Sequence, residues 1–149
     1  MPIKQITPEE AHQLVQSGSA YIDVRTEGEF AAGHPAAAVN IPIVMPHSAT
    51  GQMQVNPDFV AVVLASFPRQ AALVIGCQSG GRSQRAAEML EQAGYVDVSN
   101  VRGGFGGLRD QTGATVVPGW AELGLPTSTA CTDANTYRAM KARAERGSS

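Results

Sequence analysis

The chain predicts an α/β fold, with a mostly parallel sheet covered by helices on both faces. Three observations predict it: strand-like and helix-like segments alternate; Ala72 to Gly76 is the short apolar run of a strand buried on both sides; and two capping boxes mark helix starts between strands. With 149 residues and 43% hydrophobic content, there is enough chain for one domain that buries its own core.

Each element has a local cause. Thr7-Pro8-Glu9-Glu10 opens a helix running to about Ser17, with Gly18 ending it. Ala20-Tyr21-Ile22-Asp23-Val24 reads as a buried strand. Thr26-Glu27-Gly28-Glu29 starts a short helix through Ala32, stopped by Gly33. Val39-Asn40-Ile41-Pro42 is a brief strand ended by proline, followed by a loop through Gly51. Asn56-Pro57-Asp58 begins a helix to about Ser66. After the strand Ala72 to Gly76, the residues Ala86, Ala87, Met89, Leu90 and Ala93 form one apolar helix face, closed by Gly94. A short strand lies within Tyr95 to Val101. Gly103 to Gly107 and Pro118-Gly119-Trp120 belong to irregular connections. Composition turns polar from Thr127, which divides the chain into a domain over 1–126 and an extension over 127–149. That extension is helical over about 133–146 and frays at Gly147-Ser148-Ser149.

Charge and composition narrow the function. A formal net charge of -2 gives no concentrated basic face for nucleic acid or an anionic membrane. Two distant cysteines make neither a disulfide framework nor a C-x-x-C metal pair, so a reducing compartment is expected. The N-terminal residues lack a basic and apolar leader pattern, and no apolar run is long enough for a membrane span. A cytoplasmic location with no cofactor and no metal is the expectation.

The chemistry centres on Cys77, which stands where the apolar strand ends and the sequence Gln78-Ser79-Gly80-Gly81-Arg82-Ser83 begins. A sulfur at that junction faces backbone N–H groups and the positive end of a helix, which favour the thiolate, the nucleophilic form of cysteine. Gly80 and Gly81 let successive amides turn inward as an anion nest, and Arg82 adds a planar donor fork.

Taken together, Tyr21-Ile22-Asp23-Val24-Arg25, Glu29-Phe30, Gly33-His34, Val39-Asn40-Ile41-Pro42, Cys77 to Ser83 and Arg102-Gly103-Gly104-Phe105 resemble a single-domain rhodanese over about residues 1–126. The resemblance implies a three-layer fold around a central five-stranded parallel sheet, and a cysteine cycling between thiolate and persulfide. It implies a small sulfur-containing anion such as thiosulfate as donor, and cyanide, a thiol or a protein sulfur acceptor as recipient. The catalytic residue is then Cys77, with Gln78, Ser79, Gly80, Gly81, Arg82 and Ser83 binding substrate. Four residues separate Cys77 from Arg82. Cysteine-dependent phosphatases, the nearest competing chemistry, have one residue more, so the loop fits sulfur over phosphate. Gln78 stands where many active members carry arginine, and Ala37 fills a place commonly held by glycine. The loop is thus expected to hold a persulfide better than it captures thiosulfate. An alternative is a sulfur-delivery or regulatory module that turns over only with a protein partner.

Secondary candidates each have a structural reading beside the functional one. Asp23 and Arg25 suit a buried pair at a strand end, or orient the site. His47 is a loop residue with a route to the pocket, and Arg85 lies on the helix's first turn, where its charge reaches the loop. His34 suits a hydrogen-bonding turn position, Trp120 a core position, and Cys131 is a free thiol in the polar tail. Gly103 to Gly107 lacks the Lys-Ser or Lys-Thr of a nucleotide loop.

Overall fold

The computed structural model describes residues 3–47 and 49–147. Along the chain run β1 (Lys4–Ile6), α1 (Pro8–Gln16), β2 (Ala20–Asp23), α2 (Glu27–Ala32), β3 (His34–Pro35), β4 (Val39–Asn40), β5 (Val44–Pro46) and β6 (Met53–Val55). They continue with α3 (Phe59–Ser66), β7 (Ala72–Gly76), α4 (Gly81–Gln92), β8 (Asp97–Val101), β9 (Leu108–Arg109), β10 (Thr115–Val117), β11 (Thr127–Ser128) and α5 (Tyr137–Gly147). The central sheet has the order β1-β8-β7-β2-β4, and each neighbouring pair is parallel. The α/β class and the five-stranded parallel sheet agree with the expectation.

Period-two alternation in the strands divides the core. Ile22, Leu73 and Ile75 face one cluster with Phe59, Val63, Leu90, Tyr137 and Met140, beneath α3, α4 and α5. Tyr21, Val74 and Val101 face the other cluster with Ala11, Phe30 and Trp120, on the side of α1 and α2. Parallel strands send their C-terminal ends to one edge, so the segments after β2 and β7 meet there.

Both capping boxes form. Thr7 Oγ1 accepts from Glu10 N–H while Glu10 returns a carboxylate to Thr7 N–H, and Thr26 and Glu29 do the same. At α3 the side chain of Asn56 acts before the helix, accepting from Asp58 N–H at 3.0 Å, so the helix begins at Phe59.

Several elements escaped the sequence. β1 buries one side chain of three, too little for a hydrophobic signal. The expected loop through Gly51 holds β5, which pairs with the exposed β6 just beyond Gly51 as a hairpin, and a second hairpin pairs β9 with β10. The C-terminal helix was expected from residue 133 and starts at Tyr137. Thr132 N–H donates to Asn135 Oδ1 at 2.8 Å, and this local turn occupies the residues before it. The segment beyond residue 126 packs tightly. β11 pairs with β3, Asn40 N–H donates to the Asn135 carbonyl, and Tyr137 and Met140 are buried in the larger cluster. The C-terminal helix runs through Gly147, where fraying was expected; Ser148 and Ser149, the rest of that expected fray, lie outside the described residues, as do Met1 and Pro2.

Candidate active site

Cys77 follows β7 directly and is 2% exposed. Gly80 N–H donates to its Sγ at 3.1 Å, and Ser83 Oγ lies 3.3 Å away. The three carbonyls leading up to that amide all point the other way. Phe105 N–H donates to Cys77 O at 2.8 Å, Gly106 N–H to Gln78 O at 2.9 Å and Gly103 N–H to Ser79 O at 3.0 Å. A trans peptide sets its C=O and N–H in opposite directions, so pinning these carbonyls outward aims the amides of Gln78, Ser79 and Gly80 toward the loop's inside. Gly81, Arg82 and Ser83 open α4, where amides have no earlier helical carbonyl to meet. The result is a set of N–H donors gathered beside sulfur.

Glycine matters here at two positions. Gly80 has φ +124° at the helix start, and Gly104, at φ +53°, lies so close that a Cβ would overlap the Cys77 carbonyl. The Gly103 to Gly106 segment, read from the sequence as an irregular connection and, in part, as a motif of the resemblance, is therefore the clamp that shapes the loop.

Two ion pairs flank the loop. Asp23 and Arg25, at 1% and 3% exposure, form a buried bidentate pair with contacts of 2.8 to 3.2 Å. Arg25 Nη1 also donates to Gln78 Oε1 at 3.3 Å, and the guanidinium lies 4.5 Å from the Phe105 ring centroid. Gln78 thus supplies a carbonyl oxygen to Arg25, which an arginine at that place would lack. On the other flank, Arg82 donates to both oxygens of Glu29, at 2.7 and 3.0 Å. That hydrogen-bonded pairing holds the Glu29 carboxyl down from 4.5 to about 2, assisted by Thr26, and raises Arg82 above its ordinary value. Burial, then the charge of Asp23, pushes the Tyr21 hydroxyl well above its usual range.

Other candidates lie apart. His47 serves its own hairpin, its Nδ1 accepting from Ala49 N–H at 3.1 Å, and Arg85 is exposed on α4. His34 is fully buried in β3. Its ring stacks on Phe30 and its Nδ1–H donates to Phe30 O at 2.7 Å. Trp120 is a core residue whose Nε1–H donates to Pro126 O, and Cys131 is exposed. Among the described residues, no cluster of three His, Cys, Asp or Glu side chains is placed to hold a metal. Nor is any helix of the described residues long and apolar enough to cross a membrane.

Sequence reasoning missed Glu29 and Asn100. Glu29 was visible as a capping residue, but its reach to Arg82 is non-local. Asn100, 2% exposed on β8, accepts from Ser83 Oγ. Its signal was a polar side chain at the C-terminal end of a buried parallel strand.

Fold and loop together define an α/β domain carrying a buried cysteine at the N-terminus of a helix, on the C-terminal edge of a parallel sheet. The chain belongs to the rhodanese-like family: the Rhodanese-like domain model matches residues 7–111. It is 40% identical over 117 residues to thiosulfate sulfurtransferase 16, chloroplastic, of Arabidopsis thaliana, covering 78% of this chain and 86% of that protein. It is 31% identical over 130 residues to thiosulfate sulfurtransferase GlpE of Haemophilus influenzae, covering 87% and 98%. The crystal structure of Rv0390 from M. tuberculosis is similar, with a TM-score of 0.71 and 29% identity, covering 87% of this chain and all of that one.

Proposed function

We propose that the protein is a rhodanese-type sulfurtransferase in which Cys77 is nucleophile and sulfur carrier. The observation that carries this is Cys77 Sγ, hydrogen-bonded by Gly80 N–H at a helix N-terminus, inside a loop whose carbonyls are turned outward. The names of the plant and bacterial relatives support the same reaction class.

The Cys77 thiolate attacks the outer sulfur of thiosulfate; a new S–S bond forms, the old one breaks, and sulfite departs with its electron pair. Cys77 is left as a persulfide anion, whose terminal sulfur extends over the amides of the loop. A thiolate or cyanide then attacks that sulfur, and Cys77 regains its electron pair as thiolate. Arg82 closes the loop through Glu29, and its charge adds to the field that draws the anionic donor. No step needs a metal or an organic cofactor.

Incubation with thiosulfate and cyanide is expected to yield thiocyanate, and Cys77→Ser to abolish it while the circular dichroism spectrum stays unchanged. Mass spectrometry of the Cys77 peptide after exposure to thiosulfate should find one added sulfur, removable by thiol. Full activity in the Cys77→Ser protein would sink the proposal. Persulfide formation without thiocyanate turnover would instead mark a delivery module that needs its partner.

A further inference from the structure

Ser83 Oγ is completely buried and faces three acceptors: Asn100 Oδ1 at 2.5 Å, Gly80 O at 3.2 Å and Cys77 Sγ at 3.3 Å. A hydroxyl carries one proton. The orientation of Asn100 decides where that proton points. Asn100 Nδ2 lies 3.3 Å from the Gly80 carbonyl and 2.8 Å from Gln5 Oε1. A main-chain carbonyl can only accept, so the NH₂ end of the amide is fixed toward Gly80, and the oxygen end faces Ser83. In this arrangement the Ser83 proton lies on Asn100, and a Ser83 lone pair faces sulfur. That geometry receives a proton from a Cys77 thiol. A thiolate, by contrast, obtains the Ser83 hydrogen bond only if the hydroxyl rotates and leaves the buried Asn100 oxygen without its donor.

We propose that Asn100 is a positioning residue that competes with Cys77 for the Ser83 hydroxyl proton and so sets how readily the thiolate forms. The inference rests on Cys77 as the nucleophile, and its test does not require sulfur transfer. Among the described residues, Tyr21 from β2 and Arg82 from α4 interact electrostatically with the Cys77 charge, with Asp23, Arg25 and Glu29 as their charged neighbours, while Arg85 on α4 and Arg102 just beyond β8 are exposed. Asp23 with Arg25 and Glu29 with Arg82 are ion-paired, whereas the Ser83–Asn100 contact is uncharged and reaches sulfur directly through the Ser83 hydroxyl.

The experiment is the pH profile of iodoacetamide alkylation, read by mass spectrometry on the Cys77 peptide so that Cys131 does not contribute. Asn100→Leu, similar in shape and without an acceptor, should shift the profile to lower pH and raise the rate on its acid limb by up to about tenfold, the size of one net hydrogen bond. Ser83→Ala removes the hydroxyl for which Asn100 and Cys77 compete, and so supplies the background in which Asn100 should have no effect. The double variant should match Ser83→Ala, because Asn100 acts through the hydroxyl. Asn100→Ala carries the same expectation if the leucine variant does not fold. An upward or absent shift in a folded Asn100 variant, or a shift that persists without Ser83, overturns the proposal. Loss of thiosulfate turnover with these shifts intact would count against the sulfurtransferase reading alone.

Discussion

The two ion pairs beside Cys77 use the same chemical groups in opposite settings. Asp23–Arg25 is nearly sealed from solvent, while the side chains of Glu29 and Arg82 are 35% and 31% exposed. In the sealed pair, burial makes each charge depend on the other, and Arg25 has further fixed partners in Gly33 O, Gln78 Oε1 and the Phe105 ring. In the exposed pair, water screens the attraction, so little stability depends on it and its charges are free to respond to a substrate. One flank is frame; the other is adjustable.

The largest effect should come from breaking the frame. Asp23→Ala leaves Arg25 as an uncompensated buried charge and is expected to cost about 3–5 kcal/mol in urea unfolding. A loss below that of an ordinary surface pair would erase the contrast between the flanks. Glu29→Gln should cost about 1 kcal/mol or less at neutral pH. The same variant leaves Arg82 without a counter-charge near Cys77, so the KM for thiosulfate should fall roughly two- to fivefold with kcat little changed. An increase would mean that the pairing with Glu29 aids donor binding.

Acid titration sharpens the comparison further. The folded-state value of Glu29 is depressed, from 4.5 to about 2, so its stabilising contribution is complete above about pH 4.5 and is lost as pH falls toward 2. Stability measured across that window should therefore fall less steeply in Glu29→Gln than in the parent. Superimposable slopes would indicate that the carboxylate is not held by Arg82 in solution.

What could be read from the sequence followed the range of the interactions. Both capping boxes, the strand before Cys77 and the glycines of its loop are written within a few residues, so their positions were legible. The pair of Asp23 with Arg25 was legible for the same reason. Glu29 meets Arg82 across 53 positions, and Asn100 meets Gln5 across 95, so chain folding alone brings them together. β1 and the two hairpins were hidden differently: they bury few side chains, and their pairing is a backbone property that composition does not record.

The clamp of Gly103 to Gly106 on the Cys77 loop is made by main-chain groups at both ends. Its polarity is therefore independent of which side chains stand at positions 78 and 79, both of which are exposed. Donor and acceptor preference can be rewritten at those two positions by mutation while the main-chain part of the field around sulfur is inherited unchanged. The loop separates what evolution, or a designer, may vary from what it must keep.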